Sequence, residues 1–103
     1  MKCLDDCHTY ELDTFQNTIA ELRPHIHFYE MIEDGIKIDG VTNEEVILVL
    51  LHRLNYLNDI WQNGKFRCRE NSLAITKLEE ALMWLERRTK NRIERGVEAT
   101  HEA

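Results

Sequence analysis

Proline occurs once, at Pro24, and glycine four times, at Gly35, Gly40, Gly64 and Gly96. With so few breakers, most of the chain is free to run in long regular segments. The longest apolar run, Val46 to Leu51, is far too short to span a bilayer, so no membrane partner is expected. No charged segment followed by an apolar stretch opens the chain, which argues against secretion and makes the cytoplasm the expected location. Cysteine is scarce and odd in number, at Cys3, Cys7 and Cys68, so reduced thiols are expected.

Signatures of catalysis are missing as well. There is no Gly-rich phosphate loop, no HExxH and no nucleophile elbow. Glu79 and Glu80 are the only adjacent carboxylates on the long C-terminal helix, and neighbouring helical positions diverge by about 100°. The chain reads as a non-enzyme without a cofactor. Cys3, Cys7, His8, His25 and His27 suit zinc by type, but they lack the paired spacing of a structural site, so no metal is expected.

What is present is charge, unevenly divided. Residues 1–62 carry four Lys or Arg against twelve Asp or Glu, a net −8; residues 63–103 carry nine against seven, a net +2. An acidic chain with one basic face is a poor candidate for polymeric nucleic acid, where phosphate neutralisation dominates affinity. A small phosphate-bearing molecule remains compatible with that face.

Two long helical patterns dominate. Thr42 with Glu45 forms a capping box, and a helix is expected from there to Gln62, closed by Asn63-Gly64. Val46, Leu50, Leu54, Leu57 and Trp61 make one stripe, broadened by Ile47 and Leu51, while Val49, Tyr56 and Ile60 fall on a second apolar face. A short loop, Asn63 to Arg67, forces the next helix antiparallel. That helix starts between Cys68 and Ser72, with Asn71 or Ser72 as cap, and runs to Arg95, before Gly96. Ile75, Leu78, Leu82, Leu85, Thr89 and Ile93 form its core stripe. The second apolar face of the first helix calls for another copy of the protein.

Upstream, residues 1–8 are expected to be loose. Leu12, Phe15, Ile19 and Leu22 recur at helical spacing, which predicts a short amphipathic helix from Thr9 or Glu11 to Arg23, stopped by Pro24. His25 to Gly40 reads as a connector with room for one short strand. The expectation is therefore an all-α protein: an N-terminal helix and connector over 1–40 and a helical hairpin over 41–103, assembling into an oligomeric bundle.

Along the second helix, Lys77, Ala81, Trp84, Arg88, Arg92 and Arg95 fall within about 80° of one another. Guanidinium groups pair bidentately with phosphate, and an indole offers a stacking surface. The alternative is a solvated basic helix end that complements the helix dipole.

The same residues carry a resemblance. Thr42-Asn43-Glu44, then CRENSLAITKLEEALMWLERRTKNRIERGVEATH from Cys68 to His101, resembles a family of small phage and prophage proteins. Their pattern is TNE followed by CREN-x-x-A-x-TKL-x-EAL-x-WL-x-x-RT-x-x-R-x-x-RGVEGTH, in the hairpin domain of phage anti-CBASS and anti-Thoeris sponge proteins. Ala99 departs from it, standing where the pattern has glycine. The resemblance implies a sponge that sequesters a cyclic nucleotide immune signal without degrading it, held where hairpins of two subunits of a homo-oligomer meet. It makes Arg88, Arg92 and Arg95 candidates for phosphate, Trp84 for stacking and Lys77 for auxiliary charge. Arg69, Asn71, Thr89, Glu98, Thr100 and His101 are motif residues that would read base edges or lock subunits together. A non-enzymatic oligomerisation or adaptor protein is the competing reading.

Overall fold

The computed structural model describes residues 1–32, 35 and 37–94. The chain divides into two compact units, Met1–Thr42 and Asn43–Ala103. Among the described residues no helix is long and apolar enough to cross a membrane.

The first unit overturns the all-α expectation. It holds a three-stranded antiparallel sheet of β1 (Lys2–Asp5), β2 (Thr9–Glu11) and β3 (His25–His27), in that order. Beside it in sequence, β4 (Glu30–Met31) pairs with β5 (Lys37–Ile38) in a two-stranded ribbon. Asp6 and Cys7, at φ 28° and 66°, turn the chain between β1 and β2. The His8 amide donates to the Asp5 carbonyl across that turn at 2.7 Å. Tyr10 faces Cys3 on one side and Ile26 on the other, and its ring meets Phe28 edge-on at 5.9 Å. These are the aromatic and β-branched pairings that stabilise a sheet.

The predicted helix from Thr9 or Glu11 to Arg23 is absent for a local reason. The Thr14 hydroxyl accepts the Thr18 amide at 2.7 Å, and Asn17 turns left-handed at φ 54°. Both are the polar alternatives that Thr and Asn offer the backbone in place of a helix. Only Ala20–Leu22 closes a 3₁₀ turn. Phe15, Ile19 and Leu22, read as a buried stripe, are exposed. Arg23 ties the segment down, donating to the Thr18 carbonyl at 2.7 Å and pairing with Glu11 and Asp13. Asp13 also binds the Met1 ammonium, which holds its carboxyl below the usual range. At the far edge, a Cβ on Gly40 would lie 2.5 Å from the backbone of Phe28 and Tyr29. Only glycine lets Val41 bridge to Phe28 there.

The second unit is a helical hairpin. Helix α1 (Asn43–Asn55) begins directly after Thr42, and α2 (Arg69–Glu94) is one unbroken helix of 26 residues. Leu51 and Ile75 are the buried apolar side chains of the seam, flanked by half-buried Ile47, Leu54, Leu78, Leu82, Leu85 and Thr89. Ile93, assigned to this stripe from its spacing, is exposed. The faces bearing Val49, Tyr56 and Ile60 are exposed as well.

The first helix ends earlier than its sequence suggests. After Asn55 the chain widens into a π turn over Tyr56–Ile60, then a 3₁₀ turn over Trp61–Gly64. A π turn inserts one residue into the helical phase, and here it brings Asn58 inward, where only 5% of its surface is accessible. Its side-chain oxygen accepts the Cys68 amide at 3.2 Å, and its NH₂ donates to the Ser72 hydroxyl at 3.3 Å. Gln62, Asn63 and Gly64 then follow one another at positive φ, 47°, 56° and 78°. Trp61 stacks on Phe66 across the turn at 4.8 Å, and Arg67 pairs with Asp59 at 3.4 Å.

Truncating Asn58 strands the Cys68 amide, so Asn58→Ala is expected to lower stability by about 1–3 kcal/mol. Ser72→Ala, at an exposed hydroxyl, should remove clearly less. Urea unfolding of both variants measures this, and equal losses would show that the amide is not the latch.

Candidate functional site

The face that carries the candidate residues is the outer side of α2. Trp84 lies about 140° around the helix from the middle of the Ile75, Leu78, Leu82, Leu85 and Thr89 stripe, and Arg88 about 100°. It is 53% accessible, and Lys77, Ala81 and Arg88 are exposed with it. The cations and the indole therefore point away from the hairpin's own core. Arg92, further along the row, is half-buried.

Two local contacts order this face. Lys77 reaches Glu80 one turn on at 4.0 Å, a weak surface pair. Arg87 lies over the Trp84 ring at 5.4 Å, a cation–π contact between positions three apart. Arg87 was outside the stripe read from the sequence; the three-residue spacing from Trp84 is the signal that identifies it. With one face of the indole occupied by a guanidinium, a planar ligand has the opposite face to stack upon.

Arg92 shows a different feature. Its Nε is shielded from solvent and meets no acceptor among the described residues. A guanidinium nitrogen out of reach of water and protein oxygen is a donor awaiting an anion. Near it, Thr89 is half-buried and lines an open groove with Glu44, Glu86, Lys90, Ile93 and Glu94.

The remaining candidates separate by role. Asn71 donates its side-chain NH₂ to the Phe66 carbonyl at 3.1 Å, and its amide meets the Cys68 sulfur at 3.4 Å. It belongs to the start of α2, some two turns from Lys77. Arg69 is exposed in the first turn of that helix. Arg95, Glu98, Thr100 and His101 lie outside the described residues. Among the described residues no three His, Cys, Asp or Glu side chains converge as a metal site would require. His8 instead approaches Glu30 at 3.9 Å, and His27 shares a hydrogen bond with Thr9 at 2.7 Å.

Comparison with known proteins gives the same segment. The family described as "Acb2/Tad1, hairpin domain" matches residues 29–90. That span contains Arg69, Asn71, Lys77, Trp84, Arg88 and Thr89 and stops just before Arg92. The chain is 58% identical over 64 residues to Thoeris anti-defense 1 of Bacillus phage SBSphiJ7. The match takes in 62% of this chain and 42% of that protein's length.

If the outer face of α2 serves binding and not folding, its charges are dispensable for stability. Lys77→Ala and Arg88→Ala are each expected to shift unfolding free energy by less than about 0.5 kcal/mol. Ile75→Ala, in the seam, should remove about 2–5 kcal/mol. Denaturant titration of the unliganded protein decides it, and a large loss at Arg88 would make the face structural.

Proposed function

The chain belongs to the Acb2/Tad1 hairpin-domain family, and on that premise we propose that it is a phage anti-defence protein that sequesters a cyclic nucleotide immune signal. The ligand class is a cyclic oligonucleotide or a cyclic ADP-ribose type molecule. The mechanism is stoichiometric capture in the host cytoplasm. Each bound molecule is withdrawn from the pool that activates a host effector, and free signal falls by mass action. No bond in the ligand is broken.

The observation that carries this reading is the exposed row of Lys77, Trp84 and Arg88, continued by the Nε of Arg92, which meets no acceptor among the described residues. Phosphate takes two parallel hydrogen bonds from a guanidinium, and a purine takes the free face of the indole. The 58% identity to a protein named for defeating Thoeris supports the biological direction. Exposed Val49, Tyr56 and Ile60 support self-assembly, with the ligand enclosed where hairpins of two copies meet. Enclosure matters energetically, because a guanidinium–phosphate pair gains strength as water leaves.

The same exposed apolar face favours a second reading, an adaptor whose hairpin covers another polypeptide. A stoichiometric host protein recovered from infected cells, with no nucleotide bound, would support that reading.

Titration calorimetry against cyclic di- and trinucleotides and cyclic ADP-ribose isomers tests the first. Tight binding is expected to at least one member, weakened about tenfold or more by Arg88→Ala or Arg92→Ala, as removal of a charge-assisted bond of about 1.5–3 kcal/mol implies. Heating the complex should release the ligand intact. Silence across the panel sinks the proposal, and recovery of cleaved ligand would replace capture with catalysis.

A further inference from the structure

Cys3 lies in β1 and Cys7 in the turn that leads to β2, in a part of the chain that precedes the family match. Their sulfurs are 4.0 Å apart, in van der Waals contact, and both residues are exposed. The register explains the approach. Cys3 pairs with Tyr10 and Asp5 with Thr9, so the strand bulges between Cys3 and Asp5. Asp6 and Cys7 then turn back at positive φ, a conformation uncommon for residues with a Cβ. The left-handed backbone at Cys7 swings its side chain over the strand that carries Cys3. The Tyr10 hydroxyl sits against the same pair; hydrogen bonding to Cys7 is the main cause that pushes it above its ordinary range, with burial and Cys3 adding to it. Cys68, the third thiol, is engaged elsewhere, at the start of α2.

We propose that Cys3 and Cys7 form a thiol–disulfide exchange site that reversibly staples the β1–β2 hairpin. The oxidant class is a low-molecular-weight disulfide such as glutathione disulfide. One cysteine, as thiolate, attacks a sulfur of that disulfide and expels one glutathione thiolate, leaving a mixed disulfide. The second cysteine, as thiolate, attacks the protein sulfur of that bond and expels the other glutathione thiolate. Two protein thiols are oxidised, one disulfide is reduced to two thiols, and the two protons lost by the cysteines go to the departing thiolates. Exchange proceeds through a mixed disulfide whose lifetime depends on how near the resolving thiol lies. With the second sulfur already in contact, resolution outruns accumulation. The closed ring is short, so the staple fixes turn geometry more than it adds chain-entropy stabilisation.

The test is incubation of the full-length chain with glutathione disulfide, followed by alkylation, trypsin and mass spectrometry. The peptide beginning at Cys3 contains both cysteines. In the native sequence it is expected to lose two hydrogens and escape alkylation, and thiol reductant should restore both sites. Cys3→Ser and Cys7→Ser should each instead hold a stable glutathione adduct at the remaining cysteine. Cys68→Ser should behave as the native chain does. Persistent glutathione adducts on the native peptide, or disulfides joining two chains, would overturn the proposal.

Discussion

A single buried carboxamide holds the two helices of the hairpin in place. Asn58 is the buried polar side chain among the described residues, and it spends both ends of its amide on the helix that follows. The Cys68 amide it accepts lies at a helix start, where no intrahelical carbonyl is available. The contact therefore caps α2 and ties it to the turn at once. This matters because the seam is thin: Leu51 and Ile75 are its buried apolar side chains, and the rest of the stripe is only half-covered. Where apolar burial is modest, direction and register must come from the connection. The left-handed Gln62-Asn63-Gly64 triplet and the Trp61–Phe66 stack complete it.

A hairpin held by its turn can leave its outer surfaces for other uses. On α2 that surface carries cations and an indole; on α1 it carries Val49 and, in the turn that follows, Tyr56 and Ile60. The apolar set is uncovered among the described residues. A helix that is apolar on two sides is incomplete as a folding unit. The incompleteness is chemical as well as geometric, as the shielded Nε of Arg92 illustrates. That nitrogen meets no acceptor among the described residues and is available to a partner.

The hairpin was legible because its signals are local. Periodicity near 3.6, a Thr-x-x-Glu start, Asn-Gly before the second helix and a short loop all agree, and the structure follows them except at the end of α1, which stops at Asn55 and not at Gln62. The first unit was not legible by those means. Leu12, Phe15, Ile19 and Leu22 do sit at helical spacing, but Thr14 and Asn17 divert the backbone. The strand Thr9–Glu11 is stabilised by His25–His27, a partner far along the sequence that periodicity cannot reveal. The candidate face divides the same way. Angular arithmetic collected Lys77, Trp84 and Arg88 correctly onto one flank. It set that flank beside the seam, where Lys77, Trp84 and Arg88 are exposed and Arg92 is half-buried, and it passed over Arg87, whose contact with the indole follows from an i, i+3 relation. The π turn was invisible too, because nothing in Tyr56 to Ile60 breaks a regular pattern except one polar residue at a core position.

That turn makes the hairpin intolerant of small length changes in a particular way. Removing one residue between Tyr56 and Ile60 would leave a more regular helix, with better backbone geometry at every position. It would also take away the extra residue that brings Asn58 inward, so the Cys68 amide and the Ser72 hydroxyl would lose their partner. Length changes in Asn63–Arg67 bear on the same latch, because that stretch lies inside the loop closed by the Asn58–Cys68 bond and carries the Phe66 stack and the Arg67–Asp59 pair. In this protein the irregular turn sets the length of the connection, and the regular helices on either side take their register from it.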